Sequence, residues 1–304
     1  MAQVIFGPSA AIGMSISSYD DLSVGSLIGT GATAVVHFAH RDGEPVAVKE
    51  LKNPSLRKWH AFKREVTILN AVQHPNIVQL RGTCETPTLL TLFSELCEGG
   101  SVFDILYSST VELLDSHKCA MLGDVALAMQ FLHGRNIIHR DLKSLNLLLA
   151  KPISSELDVP CVKLCDFGSA KMIETEFEPG RGEPGSTTKN VGTSNWMAPE
   201  VVSGSYDEKV DVYSFAMVMF EILALLVPFA DLDCQEVLVA ISEGTRPDLD
   251  EIDPDTPPIL VDLMVQCWAQ RSADRPDFQH VSSLLIREHL YIPSSGDLPD
   301  RVTL

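Results

Sequence analysis

Two short polar segments lie close together in the middle of the chain, and each carries side chains that can bind a proton or a metal ion. The first, at residues 139–146, reads HRDLKSLN, and the second, at residues 166–168, reads DFG. Phosphoryl transfer needs an aligned hydroxyl, a metal-bound phosphate tail that is held still, and compensation of developing charge. Asp141 can face a hydroxyl, while Asn146 and Asp166 offer oxygens that suit Mg²⁺. The two segments therefore predict phosphoryl-transfer chemistry.

A second group of candidate residues lies nearer the N terminus, where glycines follow a predicted strand. Gly29 and Gly31 lack side chains, so backbone N–H groups there can approach phosphate oxygens. Residues 46–49 read VAVK, and the alternation of a strand puts Ala47 and Lys49 on one face. Taken alone, two such glycines more often form an ordinary turn, and such a lysine is usually solvated. A phosphate-binding role for these residues is therefore predicted only because the two polar segments occur in the same chain.

The elements that must position these residues change in kind along the chain. Strand-like runs bounded by Gly and Pro, with one amphipathic helix among them, precede residues 98–100, and helical patterns follow. The predicted strands are residues 26–28, 35–39, 46–49, 77–80 and 89–93, and the predicted helices are residues 57–72, 209–226, 262–268 and 278–289, with a further apolar stripe over residues 121–132. The change predicts a β-rich lobe and a helical lobe joined by a short hinge.

Composition narrows the class of protein and the compartment. The 304 residues carry a net charge of −18, which argues against a nucleic-acid partner because phosphate backbones are bound by an excess of Lys and Arg. The acidity most simply aids solubility, and a preference for basic protein substrates is the alternative. Seven scattered cysteines without a CxxC pair indicate a reducing, cytoplasmic location. No signal peptide is recognised, and the most apolar run, residues 215–230, is too short and interrupted for membrane insertion.

Together these segments resemble the motif set of a protein kinase domain. The resemblance also rests on residues 196–200, which read WMAPE. It covers about residues 21–290 and implies an α+β, bilobal protein kinase fold with an ATP cleft between the lobes. The small β-rich N-lobe with one main helix would be residues 21–97, the larger, mostly α-helical C-lobe residues 98–290, and the flexible tails residues 1–20 and 291–304.

The resemblance assigns catalytic roles to individual polar residues. Asp141 would be the base that accepts or orients the proton of the attacking hydroxyl, and Lys143 would offset charge on the transferred phosphate. Lys49 and Glu65 would form an ion pair that orients the phosphate tail of ATP. The implied ligands of Mg²⁺ are Asn146 and Asp166. Asn146 is also one of the implied catalytic residues.

The resemblance also implies a nucleotide site. The positions implied to contact ATP are Ile28, Gly29, Gly31, Val36, Ala47, Lys49, Glu95, Cys97 and Leu148. Glu95 and Cys97 would use their backbone to pair with the adenine edge, beside a small gatekeeper at Ser94. The chain departs from the family pattern at Ala34, where a third glycine is usual, and at Thr33, where an aromatic residue is common. We expect a modest loss of ATP affinity from Ala34.

Other residues have structural roles by the same resemblance. Glu200 would pair with Arg275, and Asp211 would anchor the catalytic loop from a central helix. A stacked spine would consist of Leu69, Leu80, His139 and Phe167.

The choice of acceptor and the kinase group follow from two details. Lys143 and Thr193 resemble Ser/Thr kinases, while the HRDLKSLN and WMAPE segments resemble the tyrosine-kinase-like group, which includes Raf, mixed-lineage, plant and protist kinases. Such kinases act on protein substrates, and a side-to-side homo- or heterodimer is an option that the resemblance leaves open. Arg140 indicates control by a phosphate on one of Ser186, Thr187 and Thr188.

The sequence has three alternatives to an active Ser/Thr kinase. A pseudokinase that acts as a scaffold would rest only on Thr33 and Ala34, since the transfer residues are all present. A dual-specificity kinase is another alternative. A small-molecule phosphotransferase is disfavoured by the peptide-binding segment at residues 198–200 and by the long helical half.

Overall fold

The computed structural model describes residues 22–30, 34–86, 88–108, 111–173, 194–202, 204, 206–288 and 290–291. The predictions for Gly31, Thr33, Thr193, the candidate phosphorylation sites at 186–188 and nearly all of both tails lie outside these residues. The chain divides into two compact units, one of Met1–Phe62 with Leu80–Leu96 and the other of Lys63–Gln79 with Cys97–Leu304. The first is built around a β-sheet and the second mainly from helices, which confirms the predicted α+β class.

The sheet of the first unit is antiparallel throughout. Its strands in chain order are β1 (Leu22–Thr30), β2 (Val35–Arg41), β3 (Glu44–Lys52), β4 (Leu80–Glu85) and β5 (Leu89–Glu95). They lie in the order β1-β2-β3-β5-β4. Strands that follow one another in the chain are therefore neighbours in the sheet, except that β5 lies between β3 and β4. One face of the sheet forms the core of the unit, where Ala39, Val46, Val48 and Phe93 are buried together.

One predicted strand was wrong. Residues 77–80 were expected to form a strand, but β4 begins only at Leu80. Ile77 instead makes an isolated parallel bridge with Leu164 and is buried within the helical unit. An apolar run of four residues fits a buried turn as well as a strand, because periodicity does not separate the two.

The predicted amphipathic helix is α1 (Leu56–Ala71), within one residue of expectation at each end. Its buried stripe includes Glu65, Ile68 and Leu69, which the spacing had placed on one face. Glu65 is only 5% exposed, although its side chain ends in a carboxylate. Such a group is costly to bury without a partner, which is consistent with a functional role.

Six further α-helices lie in the described part of the helical unit. They are α2 (Val102–Ser108), α3 (Asp115–His133), α4 (Lys209–Ala224), α5 (Cys234–Ser242), α6 (Pro258–Cys267) and α7 (Phe278–Arg287). Helix α4 is buried nearly all round, as its apolar sequence predicts. It stops two residues earlier than expected, because Leu225 turns into the left-handed region with φ 56°. Helix α6 begins earlier than expected, since Pro258 is well suited to a first turn.

Two small antiparallel strand pairs hold the polar segments of the helical unit. β6 (Ile137–Ile138) pairs with β9 (Lys171–Met172), and β7 (Leu147–Leu149) pairs with β8 (Val162–Leu164). The HRDLKSLN segment lies between β6 and β7, and the DFG segment lies between β8 and β9. The two pairs therefore bring both loops to the same place. None of the helices described is both long enough and apolar enough to cross a bilayer.

A close contact between Tyr291 and α3 explains a glycine in the middle of that helix. A Cβ atom on Gly123 would overlap the ring of Tyr291. We expect Gly123→Ala to lower the free energy of unfolding by about 1 to 2 kcal/mol, because the ring must move. In a Tyr291→Ala background the same change should be neutral or stabilising by up to about 1 kcal/mol, since alanine is the better helix former. Urea denaturation of the four proteins measures both values, and an equal loss in the two backgrounds would refute the contact.

The neighbouring Asp124 makes stability depend on pH. Its carboxylate is buried and accepts hydrogen bonds from Tyr291 Oη at 2.6 Å and from the Val162 N–H at 2.7 Å. Burial outweighs these bonds and raises the pKa of Asp124 to about 6. The folded state then binds this proton more tightly than the unfolded chain, so this contribution to stability falls as pH rises between about 4 and 6.

An Asp124→Asn variant isolates that contribution. Between about pH 5 and pH 7.5, the wild-type free energy of unfolding should fall by about 1 kcal/mol relative to the variant. Asparagine can still accept from Val162 and donate to the Tyr291 oxygen, so the variant should fold. Denaturant titrations at the two pH values measure the difference, and parallel pH profiles would show that Asp124 does not titrate in this range.

Candidate active site

The HRDLKSLN segment forms a compact polar loop around Asp141. Lys143 Nζ lies 2.9 Å from both carboxylate oxygens of Asp141. Asn146 Nδ2 donates to the Asp141 carbonyl at 2.7 Å and to Asp141 Oδ2 at 3.0 Å. The Asp141 side chain is 16% exposed, so it is held by two donors yet remains accessible. The structure therefore brings together three of the predicted catalytic residues.

Asp211 on α4 fixes the backbone of this loop, as predicted. Its Oδ1 accepts from the Arg140 N–H at 2.8 Å, and its Oδ2 accepts from the His139 N–H at 2.8 Å. His133 Nε2 lies 2.9 Å from the same Oδ2. Arg140 has φ 64°, a left-handed conformation that turns two successive N–H groups toward one anion. Burial alone would raise the pKa of Asp211, but His133 and these N–H groups hold the pKa below its usual value.

The DFG segment is tied to the same loop. The Cys165 N–H donates to the Asn146 carbonyl at 2.9 Å, and His139 Nε2 lies 3.1 Å from the Cys165 carbonyl. The rings of His139 and Phe167 meet edge to face at 5.1 Å, which forms one step of the predicted spine. These contacts place Asp166 directly beside the catalytic loop.

Asp166 and Glu65 both lie close to Gly168. A Cβ atom built on Gly168 would lie 3.4 Å from Asp166 Oδ1 and 3.8 Å from Glu65 Oε2. Asp166 itself has φ 63°, an uncommon value for a residue with a side chain and one often found at functional sites. Glu65, the predicted catalytic carboxylate of α1, is therefore close to Asp166, a predicted ligand of Mg²⁺.

The donor set fits Mg²⁺. This ion usually takes one or two protein oxygens and fills its octahedron with phosphate oxygens and water. Because Asn146 uses its amide nitrogen on Asp141, its carboxamide oxygen points away from that carboxylate. Asp166 supplies a carboxylate oxygen from the adjoining loop. These two residues would hold the ion, which would neutralise phosphate charge when bound.

Several nucleotide-site candidates share one face of the five-stranded sheet. Val36 pairs with Lys49 across β2 and β3, and Ala47 pairs with Ser94 across β3 and β5. All four are partly exposed, whereas the residues that alternate with them in β3 form the core. The sheet therefore presents Lys49 and Ala47 on the face that the alternation predicted.

The remaining nucleotide-site candidates are placed as follows. Gly29 pairs with Val36, and a Cβ atom there would make only ordinary contact with that valine at 3.6 Å. The fold itself therefore does not require glycine at this position. Ile28 is 49% exposed, Glu95 ends β5, Cys97 is partly buried, and Leu148 lies half-buried in β7 between two buried leucines. Lys49 belongs to the sheet unit and Glu65 to the helical unit, so their pairing stays a prediction.

The predicted Glu200–Arg275 pair is present and bidentate. Arg275 Nη1 lies 2.6 Å from Glu200 Oε1, and Nη2 lies 2.9 Å from Oε2. The guanidinium is fully buried, and the carboxylate is 18% exposed. Arg275 also donates to the carbonyls of Ala269 and Lys209. The pair fastens the end of the WMAPE segment to the helical unit.

One polar group of the site was not anticipated, and another makes contacts that were not predicted. Glu221 on α4 is fully buried and contacts both Ser144 and Trp196. Its only sequence signal was that it interrupts the apolar run at residues 215–230. Arg140, expected to bind a phosphate, donates to the Ser169 carbonyl at 2.6 Å and to Tyr206 Oη at 3.0 Å.

Comparison with known proteins agrees with this geometry. The family of protein tyrosine and serine/threonine kinases matches residues 22–285. A probable serine/threonine-protein kinase of Dictyostelium discoideum is 33% identical over 88% of this chain and 28% of its own length. The dual specificity protein kinase pyk3 of the same organism is 33% identical over 86% of this chain and 18% of its own length. Mitogen-activated protein kinase kinase kinase 7 of Mus musculus is 31% identical over 97% of this chain and 48% of its own length.

The chain thus spans less than half the length of each of these relatives. The matched region includes the sheet, the catalytic loop, the DFG segment and the Glu200–Arg275 pair, so the motif-based resemblance is confirmed. The chain belongs to the protein tyrosine and serine/threonine kinase family.

Proposed function

We propose that this chain transfers the γ-phosphoryl group of ATP to Ser and Thr hydroxyls of proteins. The observation that carries the proposal is the Asp141 carboxylate, which Lys143 and Asn146 hold at 2.9 to 3.0 Å while it stays accessible. Phosphoryl transfer depends mainly on positioning and electrostatic balance, and this loop supplies both.

The proposed step assigns one task to each residue. Asp141 receives the proton of the substrate hydroxyl as the hydroxyl oxygen forms its bond to phosphorus and the bond to the leaving ADP oxygen breaks. Lys143, whose ammonium group lies beside that carboxylate, offsets charge on the transferred group. Asn146 and Asp166 hold Mg²⁺, which neutralises the phosphate tail when bound.

The nucleotide side of the proposal rests on the sheet. Lys49 and Ala47 share an open face with Val36, and Gly29 is not required for packing, so a ligand that approaches the backbone closely explains its presence. We propose that ATP contacts this face, Gly31, Ile28, the backbone of Glu95 and Cys97, and Leu148. The buried carboxylate of Glu65 is proposed to pair with Lys49.

Specificity for Ser and Thr is supported by Lys143 and by relatives named as serine/threonine-protein kinases. The relative named as a dual specificity protein kinase favours a second candidate, a kinase that also accepts Tyr. The predicted domain boundaries, a cytoplasmic location, dimerisation and control by a phosphate at residues 186–188 remain proposals of the same kind.

A peptide library with Ser, Thr or Tyr as the only acceptor tests the function. With ATP and Mg²⁺ we expect transfer to Ser and Thr peptides and none to Tyr peptides, and chelation of Mg²⁺ should abolish it. Comparable transfer to Tyr peptides would establish the dual-specificity candidate instead. No transfer to any library, with ATP binding retained, would indicate a pseudokinase and overturn the proposal.

A further inference from the structure

Tyr291, which follows the last helix α7, is seated against the middle of α3. The N–H groups of Leu290 and Tyr291 both donate to the Leu285 carbonyl, at 3.0 and 3.2 Å, so the chain turns as α7 ends. Tyr291 is buried, and its ring packs where any residue larger than Gly123 would overlap it. Residues that follow the last helix of a domain are poorly ordered unless they are tied down, and Tyr291 is tied down by this contact.

The hydroxyl of Tyr291 extends the contact into a buried polar network. It donates to Asp124 Oδ1 at 2.6 Å, and Asp124 Oδ2 accepts from the Val162 N–H at 2.7 Å. Burial and the charge of Asp124 raise the pKa of Tyr291, so the hydroxyl keeps its proton and remains a donor. Because an ionised carboxylate only accepts, Asp124 joins one donor that follows α7 to one donor in β8.

Strand β8 is held on both of its edges, and Asp124 fixes its first residue. One edge pairs with β7. On the other edge, Asn76 Nδ2 donates to the Val162 carbonyl at 3.0 Å, and the Leu164 N–H donates to the Asn76 carbonyl at 2.9 Å. The N–H and the carbonyl of Val162 therefore each bond to a buried side chain. Asp166 comes two residues after this strand, so the start of the DFG segment depends on where β8 lies.

We propose that Tyr291 is a positioning residue that acts through Asp124 and β8 on Asp166, and so couples the end of α7 to the proposed metal site. Hydrogen-bond networks can carry such coupling when they join rigid elements, and the side chains of this one are buried. The effect on Mg²⁺ rests on the proposed function, whereas the effect on the strand does not. We expect a change in affinity for Mg²⁺ rather than in turnover at saturating Mg²⁺.

Two matched variants separate the network from simple packing. Tyr291→Phe keeps the ring on α3 and removes only the hydroxyl. Ser282→Ala removes a different buried contact between α7 and α3, the hydrogen bond from Ser282 Oγ to Gln130 Oε1 at 2.7 Å. Hydrogen exchange of residues 162–168, followed by mass spectrometry without metal or nucleotide, measures the strand directly.

Exchange in α6 serves as the reference for both variants. We expect Tyr291→Phe to speed exchange of residues 162–168 about tenfold relative to α6, as loss of a hydrogen bond to a charged group would. Ser282→Ala should change that ratio by less than about twofold, because its contact does not involve β8.

Metal dependence tests whether the coupling reaches Asp166. The Mg²⁺ concentration for half-maximal peptide phosphorylation should rise about fivefold in Tyr291→Phe, while turnover at saturating Mg²⁺ and KM for the peptide stay within about twofold of wild type. Binding of Mn²⁺ with a non-hydrolysable ATP analogue, measured by water-proton relaxation, gives the same comparison without turnover. That binding should weaken by the same factor.

Chemical rescue separates the hydroxyl from the ring. Tyr291→Ala leaves a space of the size of phenol, and added phenol should restore slow exchange of residues 162–168. Benzene, which has the ring without the hydroxyl, should not restore it. Equal rescue by benzene would show that packing alone holds the strand and would overturn the proposal.

The remaining outcomes are also decisive. Unchanged exchange in Tyr291→Phe, or the same increase in Ser282→Ala, would overturn the coupling even if Tyr291→Ala fails to fold. Faster exchange without weaker Mn²⁺ binding would overturn it too, because the effect would end at the strand. Wild-type protein that binds ATP and Mn²⁺ but transfers nothing would instead overturn the proposed function, and the exchange and Mn²⁺ measurements would still decide the coupling.

Discussion

Replacement of Asp141 by asparagine is expected to lower the turnover number for peptide phosphorylation by about 10²- to 10⁴-fold, the range typical of a lost general base. Asparagine keeps the size of the side chain, and its oxygen can still accept from Lys143 and Asn146. What it loses is the ability to take up the hydroxyl proton and the negative charge that Lys143 balances. Steady-state kinetics with the best library peptide measures the change.

Asp262→Asn provides the matched control, since it makes the same chemical change on an exposed residue of α6. It should leave the turnover number within about twofold of wild type, as surface changes away from a site usually do. The affinity of the Asp141 variant for ATP, measured by calorimetry, should stay close to that of the wild type, because Asp141 is not among the residues proposed to contact the nucleotide. Substantial phosphorylation by Asp141→Asn would show that another group takes the proton.

Replacement of Glu200 by glutamine should lower the free energy of unfolding by about 3 kcal/mol. The Arg275 guanidinium is fully buried and cannot lose its proton, so without the carboxylate it remains as an uncompensated charge. The carbonyls of Ala269 and Lys209 still accept from it, which places the expected loss at the lower end of the range for broken buried pairs. Urea denaturation measures the difference.

An exposed pair in the same region is the control for this second change. Asp274 lies 3.0 Å from Arg271, and their side chains are 50% and 77% exposed. Asp274→Asn should cost less than about 1 kcal/mol, because solvent screens such a pair. Similar losses in the two variants would mean that burial does not govern the strength of the Glu200–Arg275 pair.

Much of the secondary structure could be predicted from the sequence because its causes are local. The apolar stripe of α1 and the apolar run of α4 each depend on neighbours within a few turns, and both helices were found within two residues of expectation. The strand at residues 77–80 was wrong for the opposite reason. Whether a short apolar run pairs in a sheet depends on what covers it, and Ile77 is covered by the helical unit.

Some residues of the candidate site could likewise be predicted from the sequence, and others could not. Residue types and spacing determined the chemistry, since Asp141, Lys143 and Asn146 come from one loop and must lie close together. The resemblance to kinases supplied Asp211 and the Glu200–Arg275 pair, which spacing alone would not have found. Glu221 appeared in the sequence only as an interruption of an apolar run.

The sequence by itself determined which groups could perform phosphoryl transfer and which segments are helices or strands, because both depend on residues close together in the chain. Only the tertiary structure decided that Glu221 joins Ser144, 77 residues before it, to Trp196, 25 residues before it. It also decided that Tyr291 packs over Gly123 and donates to Asp124. Such contacts depend on how helices and loops pack against each other. The spacing of residues along the chain therefore does not predict which distant side chains are in contact.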